Sequence, residues 1–202
     1  MNSDNVSSSL PLDRLLAGNA RFAEGRPQHP QQSPARREGL MKGQTPFALI
    51  LSCSDSRVPP AIVFDQGLGD LFTVRTAGHV LDDAVNATLA FGIGVLQVPL
   101  VVVLGHEQCG AVAAALQADV DAGDPLAPLL ARIRPALADL RPHDAAAAHF
   151  EAAVKANVHL VLGQVRALAA SLREVPPRVI GAYYRLEDGR VEILEENEQG
   201  WN

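Results

Sequence analysis

Two short segments hold the residues best suited to chemistry. One is Cys53-Ser54-Asp55-Ser56-Arg57 and the other is Gly105-His106-Glu107-Gln108-Cys109-Gly110. Cys53 and Cys109 are the only cysteines in 202 residues. By count alone, two cysteines could be small buried hydrophobes, a disulfide, which a reducing cytoplasm disfavours, or thiolates that bind a metal or attack a substrate. Their neighbours favour the thiolate reading. Two thiolates and one imidazole, Cys53, Cys109 and His106, make a three-ligand set that leaves a fourth tetrahedral position of Zn²⁺ open. Sulfur with nitrogen suits zinc better than Mg²⁺ or Ca²⁺. A structural zinc site would call for a fourth Cys or His ligand, and there is no third cysteine.

Asp55 and Arg57 stand two residues apart beside Cys53. In an extended stretch both face the same way. The carboxylate could accept a hydrogen bond from water on the metal, or bind the metal and block it. Arg57 would orient that carboxylate by a bidentate ion pair and keep it ionised. Taken alone, such a pair is more often a surface contact that stabilises a loop. Zinc lowers the pKa of bound water from 15.7 to about 7, giving a hydroxide that attacks an electrophilic carbon such as that of CO₂. Two thiolates make the metal a weaker acid than three histidines would, so activity is expected to rise with pH above neutrality.

These residues need elements that bring them together. The apolar runs 47–52, 71–76 and 99–105 are short and bounded by polar or Pro-containing stretches, the pattern of buried parallel strands. A helix over 82–97 separates the last two, and the repeating strand–helix order implies right-handed crossovers in a parallel sheet. Ligands bind beyond the carboxyl ends of such strands. Cys53 follows the first run and His106 the third, so parallel topology alone brings them to one edge. Further helices are expected over 11–24, 35–42, 110–118, 128–140 and 145–172. Two β-rich runs around Glu187-Asp188-Gly189 read as a terminal hairpin. The apolar stripe of helix 11–24, with Leu12, Leu15 and Leu16, must pack on something, and a partner subunit is one candidate. Residues 1–10 are polar, Ser-rich and expected to be disordered, leaving 11–202 as a single domain.

Composition is that of an ordinary soluble globular protein: 48% hydrophobic, 20% charged, and net charge −6. The acidic balance argues against nucleic-acid or anionic-membrane binding. No apolar run is long enough to span a bilayer. The N-terminal residues lack the basic start and apolar run of a secretory signal, so a cytoplasmic location is expected.

The sequence resembles the β-class carbonic anhydrases. The resemblance is carried by CSDSRVPP at 53–60, GHEQCGAV at 105–112, FDQGLGDLFTVRTAG at 64–78, VIGAYYRLEDGRV at 179–191 and LAGNARFAEGR at 16–26. It implies a four-stranded parallel sheet with an added edge strand, flanked by helices. It implies one Zn²⁺ per subunit on Cys53, His106 and Cys109, with Asp55 and Arg57 controlling the fourth position. It also implies a homo-oligomer, a dimer or a dimer of dimers, with active sites at the subunit interface and CO₂ and bicarbonate as substrates. Gln44 matches the glutamine that hydrogen-bonds substrate. Phe72, Ala77 and Phe91 match the apolar pocket lining, and Gly110 supplies a backbone N–H facing it. Without the resemblance, Gln44 reads as an exposed loop residue and the two phenylalanines as plain core.

Some positions depart from the family pattern. His79 replaces a frequent Asn, Ala90-Phe91 replaces a frequent Glu-Tyr, and Ile50 replaces the Trp of a subgroup that binds inhibitory bicarbonate. The missing tyrosine hydroxyl leaves a drier pocket. Arg75 and Tyr184 could still lie near such a bicarbonate site. His79, His143, His149 and His159 are read as surface or satisfied residues without a metal role, although His79 could relay protons to buffer. Two other functions use the same residues: hydrolysis of carbonyl sulfide or carbon disulfide, and a non-catalytic zinc-binding homologue.

Overall fold

A computed structural model of the chain describes residues 10–117, 123–138, 140 and 146–195. Of the segment 1–10 expected to be disordered, only Leu10 falls within that description, and His143 lies outside it. In chain order the elements are α1 (Pro11–Ala23), α2 (Pro34–Gly39), β1 (Ala48–Cys53), α3 (Pro60–Val63), β2 (Leu71–Thr76), α4 (Asp83–Ala90), β3 (Leu100–His106), α5 (Gly110–Gln117), α6 (Ala127–Leu137), α7 (Ala146–Leu172), β4 (Arg178–Tyr184) and β5 (Val191–Glu195).

Every residue of β1 and β3 is buried, because both faces of the sheet are covered. On one face Leu49, Leu51, Val101 and Val103 pack against Val85 and Leu89 of α4 and Val158 and Leu162 of α7. On the other, Ala48, Ile50, Leu100 and Val102 pack against Leu12 and Leu15 of α1 and against Val63 and Phe64. The strand order is β2-β1-β3-β4-β5. The first four strands are parallel and β5 runs antiparallel to β4, as the expected sheet with an added edge strand requires. Gly189, at φ 74°, makes the turn between β4 and β5. No helix among the described residues is long and apolar enough to cross a membrane.

Two expectations need adjustment. The apolar face of α1 is used in part by this chain's own core: Leu12 and Leu15 are buried there, while Leu16 is partly buried and Ala20 is exposed. Each such burial contributes about 1.5–3 kcal/mol. The helix expected over 82–97 does not run unbroken. Regular α-helix stops at Ala90, and Phe91–Val95 widens into a π-helical turn. Gly92 sits in that turn against the sheet, where a Cβ would lie 2.5 Å from Leu49 Cδ1.

Candidate metal centre

Cys53 ends β1 and His106 ends the adjacent β3. Cys109 follows a tight turn in which Gln108 takes a left-handed φ of 52°. The ligand atoms of Cys53, His106 and Cys109 all lie within 4.8 Å of one another, and all three residues are buried. Both thiols are free, which removes the disulfide alternative. Around them Val112, Leu130, Ile133 and Val154 of α5, α6 and α7, with Val80 and with Tyr183 of β4, form an apolar wall.

This donor set fits a divalent cation. His106 Nδ1 lies 2.8 Å from the Glu107 carbonyl oxygen, so Nδ1 carries the proton and Nε2 keeps its lone pair. That Nε2 is buried and has no partner in the protein. An orphaned acceptor of this kind costs free energy unless a ligand takes it up. The two thiols compete for charge. Cys53 is held well below the ordinary thiol range, first by the Cys109 thiol and then by the Asp55 and Gly78 amides, against the effect of burial. Cys109 is pushed up by the same contact with Cys53 and by burial, while the Val112 and Ala111 amides at the start of α5 favour its thiolate. A cation between them removes the conflict and allows both to be thiolates.

Asp55 and Arg57 are not in an extended stretch. A turn, closed by Val58 N–H to the Asp55 carbonyl at 3.0 Å, brings them together. Arg57 Nε donates to Asp55 Oδ1 at 2.9 Å and Nη2 to Oδ2 at 2.8 Å. The Arg57 backbone N–H also donates to Oδ1, at 2.9 Å, as an Asx turn does. Arg57 lowers the Asp55 pKa below the usual carboxylate range. The remaining reach of Arg57 goes to the Gln108 carbonyl, which ties the two ligand-bearing loops together.

The other expected site residues divide into two groups. Ala77 and Gly110 lie beside the ligands: Ala77 follows Thr76, the register partner of Cys53, and Gly110 begins α5. Gln44, Phe72 and Phe91 are not gathered there within one chain. Gln44 is exposed and precedes the amino end of β1. Phe72 pairs with Leu49, four residues before Cys53, about 13 Å along the strand. Phe91 stacks obliquely on Phe72 with centroids 6.2 Å apart and is 44% exposed. His79 is fully buried, which rules out relay to buffer through an exposed ring.

Sequence reasoning missed several supporting contacts. Arg75 donates to the Cys53 carbonyl at 3.0 Å and the Asp55 carbonyl at 2.7 Å, bracing the loop between them. Glu107 Oε2 accepts the Leu186 and Glu187 amides, tying the ligand loop to the β4–β5 turn. The Gly78 N–H donates to Cys53 Sγ at 3.3 Å. None of these contacts has a sequence signature, since each depends on which loops meet.

Comparison with known proteins places this geometry among relatives. A family model described as carbonic anhydrase matches residues 48–191. The chain is 44% identical over 186 residues to carbonic anhydrase 2 of Mycobacterium tuberculosis, covering 90% of each. It is 41% identical over 187 residues to the carbonic anhydrase of Mycolicibacterium smegmatis, covering 89% of each. The structure of the β-carbonic anhydrase CafA of Aspergillus fumigatus superposes with a TM-score of 0.68 at 30% identity, covering 91% of this chain and 90% of that one.

Proposed function

Because this chain belongs to the β-class carbonic anhydrases, we propose that Cys53, His106 and Cys109 hold one Zn²⁺ per subunit and that the site hydrates CO₂ reversibly to bicarbonate and a proton. The observation that carries this reading is the buried, unpartnered Nε2 of His106 beside two free thiols. Zinc, when bound, supplies a Lewis acid that makes water nucleophilic near neutral pH.

The chain's own residues then set the geometry of attack. Asp55, held ionised by Arg57, accepts a hydrogen bond from the attacking water and leaves a lone pair free for the carbon. Gly110, at the start of α5, offers a backbone N–H to a developing oxyanion. Gln44, Phe72 and Phe91 complete the substrate pocket from a second copy of the chain. That reading is supported by their position at the far end of the sheet from the ligands of their own chain, and by the exposed Phe91 and Val95. A dimer or dimer of dimers follows, and a reducing cytoplasm would keep both ligand thiols available.

The test is a pair of assays on zinc-loaded protein. CO₂ hydration is followed by pH change and carbonyl sulfide hydrolysis by sulfide release. Fast hydration with little sulfide release supports the proposal. Sulfide release without hydration would replace the substrate, and activity in neither would leave a zinc-binding protein without catalysis.

A further inference from the structure

Asn157 sits wholly inside the protein on α7, yet it is polar and no part of the ligand set. Its helix approaches β3 closely because Gly105 has no side chain: a Cβ there would lie 2.5 Å from Val158 Cγ2. From this position Asn157 Nδ2 donates to the Gly78 carbonyl at 2.9 Å and lies 3.0 Å from His79 Nε2. An amide nitrogen carries two hydrogens, so one group makes both bonds. The opposite orientation of the amide would set two oxygens against each other at Gly78. The residues clamped in this way are conformationally unusual. Gly78 has φ 62° and His79 has φ 46°, a region that a residue with a Cβ enters only at a cost. What the turn presents is the Gly78 N–H, directed at Cys53 Sγ.

We propose that Asn157 is a positioning residue for the ligand Cys53, acting through the Gly78–His79 turn. This rests on the reading of Cys53 as a metal ligand. An N–H···S bond fixes the direction of the sulfur lone pairs and withdraws charge from the thiolate, so it sets how strongly that sulfur donates to the metal. The turn that supplies the bond holds His79 at a left-handed φ, a shape His tolerates better than most residues but still adopts at a cost. Asn157, buried on a rigid helix, imposes it.

The test uses full-length protein loaded with NMR-active cadmium, and separately with cobalt. In the wild type, a through-bond correlation links the metal to the Gly78 amide proton. Asn157→Asp keeps the side-chain shape but turns an acceptor toward the Gly78 carbonyl. It is expected to bind metal in the same stoichiometry about 10-fold more weakly, to lose the Gly78 correlation and to shift the thiolate-to-cobalt absorption band. Should that variant fail to fold, Asn157→Ser, smaller and still polar, carries the same comparison. A Gly78 correlation absent from metal-loaded wild type, or a correlation and band unchanged in the variant, would overturn the proposal. Wild type that binds neither metal would refute the ligand assignment itself, an outcome distinct from the other two.

Discussion

Asp55 Oδ2 stands 3.9 Å from His106 Nε2, the one nitrogen of that ring left without a partner, while both oxygens of the carboxylate are held by Arg57. A metal held by His106, as proposed, would lie within reach of this carboxylate, and the two-point grip of Arg57 would hold the carboxylate off it. Arg57→Ala is expected to retain zinc and to lose about 10- to 100-fold in kcat/KM for CO₂ hydration. Arg57→Lys should recover only part, since an ammonium cannot grip both oxygens in the planar fork. Stopped-flow hydration with parallel zinc analysis checks this, and an Arg57→Ala enzyme at full activity would refute the restraint.

Burial lowers the His79 pKa from 6.5 to about 4, so the folded protein keeps the ring neutral. The unfolded chain takes up a proton near pH 6.5 and the folded chain resists until about pH 4. The resulting contribution to stability is complete above the unfolded pKa and is lost as pH falls from about 6.5 to about 4, at up to ~1.4 kcal/mol per pH unit. His79→Asn, which also suits a left-handed φ, removes that slope. Urea unfolding at pH 7 and pH 5 should show wild type losing more stability than the variant. Equal losses would contradict the neutral, buried ring.

The close approach of α7 to β3 at Gly105 can be probed directly. Gly105→Ala places a methyl 2.5 Å from Val158 Cγ2 and 3.2 Å from Val154 Cγ1. Overpacking of this kind costs about 1–3 kcal/mol. It also moves α7, and Asn157 with it, away from the Gly78 turn. Denaturant midpoints should fall, and metal affinity should weaken with them.

Phe91 is 44% exposed and Val95 66%, on a π turn that also meets Phe72. Phe91→Glu is expected to dissociate the oligomer and to abolish most hydration while leaving zinc bound, because the proposed pocket would then lack its second-copy residues. Light scattering coupled to size exclusion gives the mass. A monomer of full activity would show that one chain is sufficient.

Most of the frame was legible in the sequence, and the reasons are local. Leu49 to Leu51 and Val101 to Leu104 are continuous apolar runs, which only a doubly covered strand requires. The grouping of Cys53 and His106 was legible because each closes such a run, and parallel strands put their carboxyl ends on one edge. What stayed hidden depends on contacts between distant segments. The Asp55–Arg57 pair reads as extended, but the Val58 amide folds it into a turn. Asn157 looks like one polar residue in a long helix. Its signal was its place on the stripe of Val154, Val158, Val161 and Val165, where a polar side chain has to find a buried partner. The separation of Gln44, Phe72 and Phe91 from Cys53, His106 and Cys109 was not legible, since a match to a motif does not say how far apart its residues lie within one chain.

X-ray absorption at the zinc edge reads the proposed site itself, one zinc held by Cys53, His106 and Cys109 with a fourth position open. Zinc-loaded protein should show two sulfurs at about 2.3 Å, one imidazole nitrogen at about 2.0–2.1 Å and one further light atom. Cys109→Ser should remove one sulfur from that shell, and His106→Ala the imidazole scattering. A shell without sulfur, or one unchanged by either substitution, would contradict the account.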